Sequence, residues 1–540
     1  QPESGTNVGP APISERELRT NFLYPFEQVV RRTGISAVMP SYNEIDGVPS
    51  HANRWLLTDV LRGEWGFDGV VVSDYYAIEQ MAQIHGIAAD AAAAAPRALA
   101  AGVDQDLPDG GAYKFLPQAL QAGQASLAQI DAAVRRILSL KFRAGLFEHP
   151  YADADEAVRV TNDAAARALA RRAATRSMIL LKNDGMLPLQ LPAAGAKPMT
   201  LAVIGPSSAV ARLGGYYGQP PHTVSILEGL RTRAGTRARI LFAQGVKITE
   251  NDDWWADKVE LADPATNRHL IEEAVRVAAQ ADRIVLTLGD TEQTSREAWA
   301  DNHLGDRDSL DLIGEQQALF DALRALGKPM VVILINGRPA STVAIAQQTN
   351  ALIEGWYLGE QTGNAVADVL FGDVNPGGKL PLTIPRSAGQ LPVFYNAKPS
   401  ARRGYLFDSA EPLFPFGFGL SYTHFEFAAP RLSAARIRTG ESVDVTVGLR
   451  NSGQRAGDET VQVYVRDRVS SVTRPVKELK AFRRVSLQPG EQLAVTLTLD
   501  VRAFQMWNTA MQRVVEPGEF EILAGPNSAE LQSVILTVVP

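Results

Sequence analysis

The sequence predicts a multidomain α/β plus β protein, because its hydrophobic pattern changes character twice. Spaced strand–helix alternation gives way to short, predominantly apolar runs, and these give way to strict period-two alternation. At 540 residues the chain also exceeds a single core, since domains usually run about 100 to 200 residues.

In the first region, residues 35–39 (ISAVM), 70–73 within GVVVSDYY and 101–103 within AGVDQDLP are buried-strand candidates separated by helical stretches. That is the βα rhythm of a parallel sheet or barrel. The alanine run at 91–95 belongs to one of those helices. After Leu146 the pattern changes, and residues 154–182 predict one or two Ala- and Arg-rich helices acting as a linker.

A second α/β region opens at Thr200. LAVIG, ARILFAQG, RIVLTLG, MVVILING and ALIEGWY are apolar runs of the kind that parallel sheets bury on both faces. The strand at 283–288 is followed by a long stretch, 289–312, which compact domains seldom carry without a functional reason. From about Ala428, alternation at Val443, Val445, Val447 and Leu449, at Val461, Val463 and Val465, and at Leu493, Val495, Leu497 and Leu499 predicts an antiparallel sandwich. Turn signals such as Asn451-Ser452-Gly453 divide these strands.

A net charge of -7 and a pI near 5.7 leave no basic stripe to displace counterions from phosphates, so a neutral substrate is expected and nucleic acid is not. No apolar run approaches the roughly 18 residues of a membrane span. The absence of cysteine excludes a thiol nucleophile, a thiolate zinc site and disulfides. GxSxG, HExxH and phosphate-loop signatures are missing, and LAVIGPSS lacks the glycines of a dinucleotide site. A hydrolase built on carboxylates is the economical expectation.

Two places offer such carboxylates. Asp74 ends a β-branched strand, where barrel enzymes project catalytic side chains, although Ser-Asp also commonly caps a helix or forms a surface turn. The loop TEQTSREAWADNHLGDRDSLDL carries Glu292, Glu297, Asp301, Asp306, Asp308 and Asp311 among arginines and a tryptophan. Partly apolar surroundings turn a carboxylate into a general acid, whereas solvated ion pairs are the commoner use of such loops.

MPSYNEIDGVPSHAN followed by LLTDVLRGEWGFDGVVVSDYYAI closely resembles the sixth-to-seventh strand segment of glycoside hydrolase family 3. RSMILLKNDGMLPL, GGYYGQPPHTVSILEGL, ADVLFGDVNPGGKLPLTIP and FPFGFGLSYTHFEF extend the resemblance in order, and the region from Gly440 resembles the family's fibronectin type III-like domain. The resemblance implies the C-terminal part of a (β/α)8 TIM-like barrel at 1–150, linker helices at 151–199, an α/β sandwich carrying the acid/base loop at 200–427, and the fibronectin-like domain at 428–540. It implies Asp74 as nucleophile and Glu297 as acid/base, with Glu292 and Asp301 as competitors for the second role. Met39, Tyr42, Tyr75, Arg296 and Trp299 are the implied substrate contacts, Tyr75 replacing the family's frequent Trp.

The family's Lys-His-Phe motif has no counterpart, because QPESGTN resembles the stretch just after that motif in relatives; the numbering is therefore expected to start partway through the barrel. The activity implied is that of a retaining, exo-acting β-glucosidase, with a β-xylosidase or an inactive sugar-binding relative as alternatives. No metal or cofactor is implied. The partners expected are β-linked glucosides or oligosaccharides, the missing barrel segment and a second copy in a homodimer, with no nucleic acid and no membrane. The location implied is periplasmic or secreted.

Overall fold

The structure is a computed structural model describing residues 5–540 except Gln219, Asp301, Arg402 and Arg403. The chain divides into two compact units, one of Gln1–Val160 with Glu297–Asp306, the other of Thr161–Arg296 with Arg307–Pro540. This corrects one expectation. The loop at 289–312 starts in the second unit, yet its segment Glu297–Asp306 is part of the first.

In the first unit, strands β1 (Ala37–Val38) and β2 (Val70–Val71) pair in parallel, Ala37 opposite Val70 and Val38 opposite Val71. A parallel bridge between Val72 and Gln105 adds the next strand position. Helices α1 (Ala77–Gln83) and α2 (Ala91–Ala101) follow β2. The Asp90 carboxylate caps α2 by accepting the Ala93 N–H, and left-handed Gly102 ends it, so the strand expected at 101–103 begins slightly later. Val71, Ile78, Met81, Ala94, Ala98 and Val103 share one apolar core. Asp104 locks this arrangement: it accepts the Val71 N–H at 2.8 Å and pairs with Arg62 at 2.7 Å and Arg136 at 2.9 Å. It is thereby a strand anchor.

The second unit contains a six-stranded sheet of β3 (Ile179–Asn183), β4 (Met199–Ile204), β5 (Ala238–Ala243), β6 (Arg283–Gly289), β7 (Met330–Ile335) and β8 (Ala351–Glu354), in the order β3-β8-β7-β6-β4-β5. All neighbours are parallel except the edge strand β3, which runs antiparallel to β8. The period of two sends Leu201, Val203, Val285, Val331 and Ile333 to one face, and Ala202, Ile204, Ile284, Leu286, Val332 and Leu334 to the other. Helices α3 (Ala164–Ser177), α4 (Ile226–Ala234) and α7 (Thr362–Leu370) supply the first core; α5 (Pro264–Ala279) and α6 (Gln316–Arg324) supply the second. That is why apolar residues fill successive positions of these runs and do not alternate with polar ones.

Glycines set the approach of α4 to α7: a Cβ on Gly229 would lie 2.0 Å from the Gly363 carbonyl oxygen, and one on Gly363 1.8 Å from that of Ser225. The linker expected at 151–199 is largely structural. Helix α3 lies on the sheet, tied to α7 by Arg171 and Asp368 at 2.6 Å, and β3 forms the sheet's edge.

The C-terminal sandwich packs β9 (Val443–Asn451) and β12 (Gln492–Leu499) over β10 (Gly457–Asp467), β11 (Glu478–Leu487), β13 (Gly518–Gly525) and β14 (Gln532–Val539). Val445, Val447, Val461, Val463, Leu497, Ile522 and Leu536 fill its core, as the alternation requires. Phe425–Phe427 already pairs with β9, so the sandwich starts just ahead of residue 428.

Candidate active site

Asp74 follows β2 in a tight strand-to-helix turn. The Ser73 N–H donates to the Gln105 carbonyl at 2.8 Å, Ser73 Oγ accepts the Leu107 N–H at 2.8 Å, and the Tyr76 N–H donates to the Leu107 carbonyl at 3.0 Å. Tyr76 takes a left-handed φ of 59° to enter α1, and the helix has no side-chain cap. The helix-cap reading of Asp74 therefore fails. The turn instead aims a partly exposed carboxylate away from the core.

Three contacts fix it. Tyr42 donates its hydroxyl to Asp74 Oδ1 at 2.8 Å, the Tyr75 N–H donates to the same oxygen at 2.8 Å, and the Asp74 N–H donates to His51 Nε2 at 3.1 Å. Burial pushes the His51 imidazole down to about 4, so at neutral pH the ring is uncharged and Nε2 offers the lone pair this bond needs. Tyr42 is held in turn by its carbonyl, 3.0 Å from His85 Nε2, while His85 Nδ1 lies 3.4 Å from Glu44. Tyr75 and Tyr76 are about half exposed and stand edge to face at 6.3 Å. Met39, directly after β1, is likewise exposed.

The loop carboxylates separate by burial. Glu292 is buried and holds Arg212 at 2.9 Å while accepting the Leu213 N–H at 2.8 Å, which makes it a loop anchor. Asp290 sits 3.1 Å from Arg307, and burial raises it to about 6. Glu297 is exposed, next to buried Ala298, whose carbonyl accepts the Asn7 N–H at 3.2 Å. Trp299 stacks on His303 at 3.5 Å with the rings 12° apart. Asp301 lies outside the described residues.

Arg296 has a structural partner set of its own. Its side chain is buried within the second unit and donates to the carbonyls of Trp254, Ala256 and Asp257. The enclosed guanidinium stitches the loop to residues 254–257.

His51 and His85 were absent from the expected set. The only signal was the SHAN run itself, since a lone buried histidine more often satisfies a core. Among the described residues no group of three or more His, Cys, Asp or Glu side chains is arranged to hold a metal ion.

Residues 1–140 match the Glycosyl hydrolase family 3 N terminal domain and residues 178–422 the Glycosyl hydrolase family 3 C-terminal domain. Residues 459–528 match the Fibronectin type III-like domain. The chain belongs to glycosyl hydrolase family 3. Among curated relatives of this family 3 enzyme are a beta-xylosidase of Formosa agariphila, 40% identical over 99% of this chain and 73% of the relative, and a periplasmic beta-glucosidase of Salmonella typhimurium, 37% identical over 98% and 71%. Among solved structures, a β-glucosidase from Erythrobacter marinus superposes with a TM-score of 0.96 at 44% identity, covering 100% of this chain and 72% of that one. A Listeria innocua beta-glucosidase in complex with glucose gives 0.89 at 32% identity, with the same coverage. The protein is thus a glycoside hydrolase, with the family's domains in the expected order.

Proposed function

We propose that this family 3 enzyme is a retaining, exo-acting β-glucosidase that removes terminal β-D-glucosyl residues by double displacement. Asp74 attacks the anomeric carbon as the glycosidic C–O bond breaks, and protonated Glu297 delivers its proton to the departing oxygen. Glu297 then takes a proton from water, which attacks the glycosyl–Asp74 ester and restores the original configuration. Retention calls for carboxyls about 5 to 5.5 Å apart.

The observation carrying this reading is that both carboxylates belong to the first compact unit. Asp74 is braced through Oδ1 alone, and among the described residues Oδ2 has no hydrogen bond. Met39, Tyr42, Tyr75 and Trp299 are the proposed sugar contacts, and a periplasmic location is proposed from the Salmonella relative's name. No helix among the described residues is long and apolar enough to cross a membrane.

A β-xylosidase is the second reading, favoured by the Formosa relative at 40% identity. The ratio of kcat/KM for p-nitrophenyl β-glucoside and β-xyloside decides between them. For the mechanism, Asp74→Ala should lose activity on every substrate. Glu297→Ala should keep glycosylation by a dinitrophenyl glucoside, lose cellobiose hydrolysis, and release β-glucosyl azide when azide is added. Formation of the α-azide, or equal losses on good and poor leaving groups, would remove the acid/base role from Glu297.

A further inference from the structure

Glu297 stands between two fixed carbonyls. The carbonyl of Arg296, the residue before it, accepts from the Arg338 guanidinium at 3.0 Å. The carbonyl of Ala298, the residue after it, accepts the Asn7 N–H at 3.2 Å, and Thr6 and Ala298 form a parallel bridge. Beyond Ala298 the chain doubles back: the Trp299 N–H donates to the His303 carbonyl at 3.3 Å, the His303 N–H returns to the Ala300 carbonyl at 3.0 Å, and the two rings stack. Gly5 brings the N-terminal segment close to this hairpin. Its φ of 69° is left-handed, and a Cβ there would lie 1.2 Å from an Asp306 carboxylate oxygen.

We infer that the segment Gly5–Thr6–Asn7 is a positioning strap that sets the Glu297 carboxylate for proton transfer. The inference rests on the acid/base reading of Glu297 proposed above. A side chain on a long loop has many rotamers and backbone settings available, and proton transfer tolerates little displacement: about 1 Å of misplacement costs roughly a hundredfold. One bridge beside the catalytic position removes the backbone part of that freedom. Because the bond comes from a main-chain N–H, the type of side chain at position 7 matters little, and the presence of the N–H matters most. At position 5 the left-handed backbone requires glycine.

The strap makes a prediction that a purely structural tie does not. Weakening it should slow both steps in which Glu297 moves a proton and spare only glycosylation by a leaving group that needs no acid. The test is steady-state kinetics of the enzyme with Asn7→Pro, which deletes the donor, and Asn7→Ala, which keeps it, on 2,4-dinitrophenyl β-glucoside and on cellobiose. Glu297→Ala runs in parallel. Asn7→Pro should lose at least roughly thirtyfold in kcat/KM on cellobiose while kcat/KM on the dinitrophenyl substrate stays within about threefold of the parent. Asn7→Ala should match the parent on both. Gly5→Val, strained at its left-handed φ, should repeat the Asn7→Pro pattern and decides the matter if Asn7→Pro does not fold.

Equal losses on both substrates, or no loss on either, would overturn the strap while leaving Glu297 in place, provided Glu297→Ala itself discriminates between leaving groups. If Glu297→Ala does not discriminate, the acid/base reading falls and the strap falls with it.

Discussion

The buried imidazole of His51 accepts the main-chain N–H of Asp74 through Nε2 at 3.1 Å, so a neutral histidine helps hold the backbone that carries the candidate nucleophile. Because burial has pushed this ring down to about 4 from its ordinary value near 6.5, the unfolded chain binds the proton more readily than the folded one. The stabilisation is complete above about pH 6.5 and falls away as the pH drops toward 4, to a total of roughly 3 kcal/mol. Thermal melting of the parent should lose several degrees across that window. His51→Gln, which keeps an acceptor but never charges, should flatten the acid side, and an unchanged profile would show that His51 does not govern it.

Tyr42 has one hydroxyl proton and two acceptors in reach, Asp74 Oδ1 at 2.8 Å and the Tyr75 carbonyl at 3.0 Å. The carboxylate is the stronger acceptor. Tyr42→Phe should therefore lower kcat/KM by roughly 10- to 100-fold, the worth of a hydrogen bond to a charged group, about 1.5 to 3 kcal/mol. The loss should be the same for activated and unactivated glucosides, since Tyr42 braces the nucleophile and not the leaving group. A loss confined to cellobiose would move Tyr42 to the acid's side of the reaction.

The sheet of the second unit was legible in the sequence because strands such as β6 and β7 are buried on both faces, which leaves Val331–Ile335 apolar without interruption and Ile284–Leu288 apolar but for the buried Thr287. The sandwich was legible through the alternation of Val443, Val445 and Val447. The ownership of Glu297 was not, because it depends on a bridge from Ala298 to Thr6 at the far end of the chain. The partners of Arg296 were hidden for a similar reason: the carbonyls of Trp254, Ala256 and Asp257 come from a separate loop that no local spacing reveals. His51 gave no pattern of its own, its role being set by the fold that places Nε2 under the Asp74 N–H.

Glu292 and Arg212 form a buried pair at 2.9 Å, with the more exposed Asp252 at 3.4 Å as the arginine's other acidic neighbour. Removing one member of such a pair strands the other charge, at a cost of about 3 to 5 kcal/mol. Glu292→Ala should lower the melting temperature clearly, and any activity it loses should be lost equally on good and poor leaving groups. A cellobiose-specific loss rescued by azide would instead make Glu292 the acid/base.

Glu354 ends β8 fully enclosed, accepting the Trp356 N–H at 3.1 Å, and burial lifts its carboxyl to about 8 from an ordinary 4.5, with Asp290 adding repulsion. At neutral pH the folded chain therefore holds a proton here that the unfolded chain has released. With the folded value above the unfolded one, stability is fully present below about pH 4.5 and declines as the pH rises through 8. The total is on the order of 3 to 5 kcal/mol. Asp290, raised to about 6, pulls in the same direction over a lower window. Glu354→Gln keeps the shape and an acceptor for Trp356 but cannot ionise, so its melting temperature should match the parent at pH 5 and exceed it increasingly from pH 6 to 8.5. If the two curves instead run parallel across that range, the alkaline loss belongs to another group, and Asp290→Asn is the variant that should then flatten it.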